Sequence, residues 1–390
     1  MEQLIINYRK LLNETPTEFH RYIYDKIHWS NRMLGIVGPR GVGKTTMMLQ
    51  YIKEHLNANE TLYVTADDFY FSSHRLVDLV DQFSKMGGKN LFVDEVHKIE
   101  DWSRELKLIY DYHQELKIVF SGSSVLDITK GTTADLSRRA IVYHMQGLSY
   151  REYLKLFHAI ELPTLSLNQV LHHEVELPKG FLPLQHFTDY MQHGYYPFAQ
   201  EGDYEKRLLS IIDKTLEVDI PQYAALNATM SKKLKRLLAI ISESVPFKPN
   251  MSTLGQTLGI SRNNVADYLL LMEEAGLIGQ LRDATGGIRG LGKVNKVYLD
   301  NNNLIHALST NKADIGNARE TFFFNQVRVQ YDVTNSLVSD FLIEGITFEV
   351  GGKKKGKKQI QGLANAYVVK DDIETGFGNI IPLWLFGLLY

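Results

Sequence analysis

The segment Gly38-Pro-Arg-Gly-Val-Gly-Lys-Thr45 fits the spacing G-x-x-x-x-G-K-S/T. Each residue type has a physical task there. Glycines allow backbone turns closed to other residues, so the loop's N–H groups can converge on phosphates. A helix opening at Lys44 adds the positive end of its dipole. Gly38, Pro39, Arg40, Gly41, Val42, Gly43, Lys44, Thr45 and Thr46 are therefore expected to bind nucleotide. Lys44 would reach the β- and γ-phosphates, and the Thr45 hydroxyl would ligate Mg²⁺. The bland alternative is a glycine-rich turn that binds nothing.

Leu91-Phe-Val-Asp-Glu95 supplies what a hydrolase needs besides the cradle. A buried strand ends in two carboxylates. Asp94 would hold Mg²⁺, directly or through water, and Glu95 would orient and deprotonate the attacking water. Phe120-Ser-Gly-Ser-Ser124 offers Ser123 and Ser124 as sensors of the γ-phosphate, or as caps of the next helix. Leu136-Ser-Arg-Arg139 offers an arginine for the transition state, Arg139 ahead of Arg138. An arginine acting on a neighbouring subunit would require a homo-oligomer; the alternative is a salt-bridged basic pair.

These residues need a frame. The runs Met33–Val37, Leu62–Thr65, Leu91–Val93, Ile118–Phe120 and Ile141–Met145 read as strands. Between them, Thr45–Leu56, Ser72–Met86 and Trp102–His113 read as helices. This alternation predicts an α/β fold with a parallel, doubly wound sheet. Residues 1 to about 30 read as an amphipathic helical lead-in carried by Leu4, Tyr8 and Leu11.

The chain has 390 residues, enough for two or three domains. With 44% hydrophobic and 23% charged residues it is no disordered chain. A formal net charge of −2 selects no polyanionic partner by itself. Zero cysteines exclude a disulfide scaffold, cysteine catalysis and a Cys-based zinc site. No apolar run reaches the ~20 residues of a spanning helix, and no signal-peptide core is seen. No membrane is expected as partner, and the cytoplasm is the expected location.

Residues 160–300 read as mostly helical. Met251–Leu258, a turn at Gly259-Ile260, the cap Ser261 and the helix Arg262–Ala275 precede the strands Leu277–Leu281 and Val294–Leu299. That order is a winged helix-turn-helix. Residues 231–300 carry ten Lys/Arg against six Asp/Glu. Arg262, Asn263 and Asn264 open the second helix, where base contacts would be made, and Arg289 and Lys293 on the wing could meet phosphates. Winged helices also mediate protein contacts. Towards the C-terminus, a helix Asn317–Val329 precedes the strands Ser339–Ile343 and Thr347–Val350. The lysine run 353–358, a helix Gln359–Asn365, a strand Ala366–Val369 and a buried terminal element Ile380–Tyr390 follow.

Taken together, these segments make the chain resemble the prokaryotic AAA-type ATPases (AAA_14) that carry a DUF4143 C-terminal region. The resemblance is carried by GPRGVGKTT (38–46), LFVDEVHKIEDW (91–102), FSGSS (120–124) and LSRRA (136–140). LSYREYL (148–154), GYYPF (194–198), KVYLDN (296–301) and FEVGGK (348–353) extend it. It implies an AAA+-like P-loop domain over 1–155, a helical and winged-helix region over 156–305, and a degenerate restriction-endonuclease-like α/β domain over 306–390. It implies ATP, not GTP; Asn311-Lys-Ala-Asp314 fits the letters of a guanine-reading motif but lies far from the P-loop. The family's arginine falls on Arg139, although many members have Gly-Arg where this chain has Arg138-Arg139.

In the nuclease fold, the metal-binding acids map onto Asp340 and Glu349, with Glu320 from the preceding helix. Gly351 stands where that fold has its lysine, and Lys353 is the candidate replacement. The leading expectation is a Mg²⁺-dependent ATPase coupling nucleotide state to a C-terminal recognition module for double-stranded DNA or a protein client. The alternatives are an ATP-gated DNA-binding switch with little turnover and an ATP-gated nuclease.

Overall fold

The chain opens with α1 (Glu2–Glu14), whose buried side is Leu4, Tyr8 and Leu12. Leu11, expected on that face, is exposed. The strict four-residue spacing of Leu4, Tyr8 and Leu12 keeps one helical stripe inward. The lead-in is not helical to residue 30: beyond Thr15 it is extended, with one short turn at Tyr24–Lys26.

This is a computed structural model, and it describes residues 1–122, 136–224, 226–284, 292–308, 315–356 and 358–390. Ser123, Ser124, Arg289 and Asn311–Asp314 lie outside the described residues. The chain divides into two compact units, Met1–Gln146 and Gly147–Tyr390.

The first unit contains β1 (Met33–Val37), α2 (Lys44–His55), β2 (Thr61–Thr65), α3 (Leu76–Lys85) and β3 (Asn90–Asp94). It ends with α4 (Trp102–Tyr112), β4 (Lys117–Gly122) and β5 (Ile141–His144). The five strands form one sheet in the order β2-β3-β4-β1-β5, and every pairing is parallel. All five residues of β1 are buried. A parallel sheet covered by helices on both faces needs such continuous apolar strands. Because all strands run one way, the loops after β1 and β3 leave the same edge. That edge receives a ligand in open α/β sheets.

The second unit begins with α5 (Tyr150–His158), α6 (Leu167–Leu171), α7 (Phe187–His193), α8 (Tyr204–Lys214), α9 (Ile220–Ala224) and α10 (Ala228–Ser242). Ser149 and Glu152 form a reciprocal capping box at the start of α5. Then come α11 (Met251–Leu258), α12 (Arg262–Glu274) and the antiparallel pair β6 (Ile278–Arg282) and β7 (Val294–Leu299). After α13 (Asn302–Leu308) and α14 (Ile315–Val327) lie β8 (Val333–Asn335), β9 (Phe341–Ile343), β10 (Ile346–Gly351), β11 (Ala366–Lys370) and β12 (Ile380–Pro382). These strands form a second sheet, β12-β11-β10-β9-β8, in which β10, β11 and β12 run parallel and the β8–β9–β10 pairings are antiparallel.

Phe323 of α14 packs on Phe341, Phe348 and Phe386 with ring centroids 5.0, 5.4 and 4.6 Å away. The terminal residues Leu383–Leu388 form a buried 3₁₀ turn, as the apolar run suggested. The expected helix over 359–365 is only a short turn, Lys358–Ile360, because Gly362 takes φ +86°.

The segment limits at 155 and 305 do not coincide with the division into two units. Across residue 305 the two segments share buried contacts. Tyr298 lies 5.2 Å from Phe324 between ring centroids, and the Asn325 amide donates to the Asp300 carbonyl at 2.8 Å. The Asn302 amide donates to the Ala318 carbonyl at 2.8 Å.

Candidate functional site

The loop between β1 and α2 has the backbone its glycines were expected to allow. Gly41 and Gly43 take φ +79° and +98°, the left-handed region where a side chain is strained. At Gly38 the limit is space: a Cβ there would stand 2.1 Å from the Met145 carbonyl oxygen. Lys44 is 5% exposed. Its ammonium donates to the carbonyls of Gly38 and Pro39 at 2.8 and 2.9 Å. Val42 is buried, whereas Thr45 and Thr46 are exposed in the first turn of α2.

Asp94, 3% exposed at the end of β3, is where the separate motifs meet. Its Oδ2 accepts from the Thr45 hydroxyl, and from the Tyr63 hydroxyl on β2 at 2.8 Å. Its Oδ1 accepts from the Ser121 hydroxyl on β4 and from the Glu95 amide at 3.0 Å. These donors satisfy the carboxylate in its ionised form. Burial and then the Asp94 charge push the Tyr63 phenol well above its ordinary value, so it remains a donor.

Glu95 takes φ +53°, the left-handed conformation that turns the chain sharply after β3. Its Oε2 lies 3.7 Å from Arg40 Nη2 and 3.5 Å from His97 Nε2. The candidate base thus faces a guanidinium of the phosphate loop. The Thr45 hydroxyl and the Asp94 carboxylate are hard oxygen donors in contact, a set that fits Mg²⁺, which takes one or two protein oxygens and completes its shell with phosphate and water. Among the described residues no three His, Asp or Glu side chains gather as a self-sufficient metal cage.

The sequence reading missed Tyr63 and Ser121. Ser121 sat inside the quoted FSGSS stretch, one strand position before the glycine. The sensor candidates Ser123 and Ser124 lie outside the described residues. Arg139 is described, and it is not brought to the loop. Its Nε and Nη2 donate to the two Asp111 carboxylate oxygens at 3.0 and 3.1 Å. This pairing holds the Asp111 carboxyl below its ordinary range. Arg139 precedes β5, whose Ile141 pairs with Leu34, whereas the loop follows Val37. Arg139 and the phosphate loop therefore sit at opposite edges of the same sheet.

In the second unit, Gly259 takes φ +62° between α11 and α12, and Ser261 caps α12 through the Asn264 amide at 3.2 Å. Arg262, Asn263 and Lys293 line one cleft of about 610 Å³ with Asn250 and Val294. Asn264 is occupied at the cap, where its side-chain oxygen accepts from the Ser261 hydroxyl at 2.8 Å.

Glu320 and Asp340 share one lysine, and Glu349 pairs with another. The Lys296 ammonium lies 3.3 Å from Glu320 and 3.2 Å from Asp340. Tyr298 donates to Glu320 at 2.8 Å. Glu349, 1% exposed, pairs with Lys355 and accepts from the Ser339 hydroxyl. Lys353 does not take the role sequence reasoning offered it. β10 stops at Gly351, Lys353 is exposed in the turn beyond, and the chain folds back so that Lys355 returns to Glu349. Gly351 makes room for this: a Cβ there would meet the Lys355 stem at 2.7 Å.

Comparison with known proteins matches the first of these frames. A family model described as an AAA domain (AAA_14) matches residues 30–154. A model for a domain of unknown function, DUF8612, matches residues 184–315; the DUF4143 region that the resemblance implied for residues 306–390 is not what this model names. Among curated proteins, the uncharacterized protein MJ1637 of Methanocaldococcus jannaschii is 24% identical over 264 residues, 62% of this chain and 55% of its own length. The uncharacterized protein MJ1544 of the same organism is 25% identical over 134 residues, 32% of this chain and 29% of its own. The chain thus spans about half of the first relative and less of the second.

Among solved structures, the Walker-type ATPase PABY2304 of Pyrococcus abyssi aligns over 76% of this chain and 99% of its own, with 11% identity and a TM-score of 0.46. AMPPCP-bound DnaA from Aquifex aeolicus aligns over 70% of this chain and 88% of its own, with 14% identity and a TM-score of 0.27. Residues 30–154 are an AAA-type P-loop ATPase domain, a nucleotide-binding fold. Among the described residues no helix is long and apolar enough to cross a membrane.

Proposed function

We propose that the protein is a Mg²⁺-dependent ATPase whose nucleotide state is coupled to a recognition module in its second unit. The observation that carries this reading is the Thr45–Asp94 contact beside the buried Lys44. In it the loop residues 38–46 hold the phosphates, and Lys44 exchanges its loop carbonyls for the β- and γ-phosphate oxygens. Thr45 and Asp94 would hold Mg²⁺, which supplies charge neutralisation on the β- and γ-phosphates when bound. Glu95 accepts the proton of the attacking water. Ser123 and Ser124 remain the candidate γ-phosphate sensors.

Arg139 serves the transition state of a second copy, not of its own loop; its seat at the far edge of the sheet supports this assignment. The adenine base is preferred because the resemblance is to AAA-type ATPases. Domain limits at 155 and 305, and a DUF4143-like, restriction-endonuclease-related C-terminal domain, belong to the same reading.

The recognition module is a winged helix over α11, α12, β6 and β7, and its partner is double-stranded DNA. The support is the shared cleft of Arg262, Asn263 and Lys293. Arg289 would join them from the wing. A protein client is the alternative occupant. Nuclease activity is disfavoured, because Lys296 already supplies a cation between Glu320 and Asp340, and Lys355 supplies one to Glu349.

A switch with little turnover is the second reading, favoured by the Arg40–Glu95 approach, which engages the candidate base. Steady-state hydrolysis of ATP with Mg²⁺ decides between them, for wild type, Lys44→Ala and Glu95→Gln, with and without DNA. Turnover lost in both variants and raised by DNA supports the ATPase. Tight ATP binding without turnover supports the switch.

A further inference from the structure

Arg21 belongs to no motif, yet it is 5% exposed. It lies in the extended lead-in between α1 and β1. That stretch is tied along α2: the Lys53 ammonium donates to the Thr15 carbonyl at 2.7 Å, and the Gln50 amide donates to the Pro16 and Phe19 carbonyls at 2.9 and 2.8 Å. Its far end therefore arrives at the N-terminus of α2, beside the phosphate loop. There Arg21 Nη1 donates to the Val42 carbonyl, and Nη2 donates to the Gln146 carbonyl at 2.7 Å. Next to it the Tyr22 hydroxyl donates to the His144 carbonyl at 3.3 Å, and the Met145 amide donates to the Val37 carbonyl at 2.7 Å.

A trans peptide points its C=O and the following N–H in opposite directions. A donor that fixes the Val42 carbonyl outwards therefore aims the Gly43 N–H into the loop. Gly43 has φ +98°, and a glycine leaves such a conformation as readily as it enters it, so a tether on this peptide restricts it. A guanidinium bridges two carbonyls through separate nitrogens of one rigid planar fork, whereas a lysine must reach both from a single nitrogen on a flexible stem.

We propose that Arg21 is a positioning residue for nucleotide binding: it presets the Gly43 amide for phosphate and links that peptide to Gln146, where the chain leaves the first unit. This rests on the nucleotide-binding reading above. When phosphate pulls on Gly43, the guanidinium carries the displacement to the strand end after β5. A preset donor need not be reorganised on binding, so its loss appears mainly as weaker binding.

The test uses the full chain as wild type, Arg21→Met, Arg21→Lys and Lys44→Ala. Three quantities are read: the dissociation constant of a fluorescent ATP analogue, KM against kcat, and amide hydrogen exchange over residues 143–148 with and without ATP. We expect Arg21→Met to weaken binding about tenfold and to raise KM more than it lowers kcat. Arg21→Lys should recover only part of this, and both variants should lose the ATP-dependent exchange change. If Arg21→Met does not fold, Arg21→Lys decides by the same three readings. A folded Arg21 variant with wild-type affinity and exchange overturns the proposal alone. A wild type that binds no ATP overturns both the proposal and the reading beneath it.

Discussion

The Tyr63 hydroxyl donates to the Asp94 carboxylate at 2.8 Å, so the strand next to β3 holds the candidate metal residue in place. Tyr63→Phe removes this donor and leaves those of Thr45, Ser121 and Glu95. A hydrogen bond to a charged group is worth about 1.5–3 kcal/mol. We expect Tyr63→Phe to lower unfolding stability by about that amount in urea titrations. ATP turnover should fall severalfold while ATP affinity changes little. Unchanged turnover would show that Asp94 needs no tether from β2.

Arg139 is expected to matter only between copies. Arg139→Ala should retain the wild-type ATP affinity and lose turnover by at least about tenfold. Mixing it with Glu95→Gln should restore activity, since each variant keeps what the other lacks. Loss of affinity in Arg139→Ala, or no recovery on mixing, removes the arginine from the proposed site.

Lys296 holds Glu320 and Asp340 together in a mostly buried setting. Lys296→Met should cost about 3–5 kcal/mol, the usual penalty for stranding a buried charge. Burial, followed by the Asp340 charge, raises the Glu320 carboxyl above its ordinary 4.5, and Lys296 opposes that rise. The folded chain then binds this proton more tightly than the unfolded chain. This contribution to stability is complete below about pH 4.5 and is lost as pH rises through the raised native value. Lys296→Met enlarges the rise, so part of its deficit should be recovered on going from pH 7 to pH 5. Urea midpoints at the two pH values measure this, and a deficit that grows on acidification would refute it.

For the cleft of Arg262 and Lys293, the readout is the salt dependence of DNA binding. Lys293→Ala should weaken binding evenly across sequences and lower the salt slope by about one. Arg262→Ala should additionally relax sequence preference. Fluorescence anisotropy at two ionic strengths tests both. Equal binding by all variants would move the cleft to a protein client.

The parts of the first unit that come from local pattern were legible before the fold. The strand limits of β1 and the start of α2 follow from an apolar run and a glycine loop, both short-range signals. Arg21 and Tyr63 were not legible, because nothing in their neighbours marks them. Only the sheet order and the lead-in's path along α2 bring them to the site. Lys353 fails as the candidate replacement for a related reason: its place two residues after Gly351 serves only if the strand continues, whereas β10 ends at Gly351 and the chain turns there. Leu11 shows the smaller version, where one residue of helical phase separates a core side chain from an exposed one.

Arg139 and the phosphate loop at opposite edges of one sheet give the first unit a direction. If each copy donates at one edge and receives at the other, two copies meeting by the same edge across a twofold axis cannot complete each other's sites. Copies stacked edge to edge would instead follow one another head to tail, in a closed ring or an open row. In a row, the copy at one end has an arginine with nothing to serve, and the copy at the other end has a loop that nothing serves. Activity per chain would then climb with the length of the row and level off only when the ends become few or the circle closes.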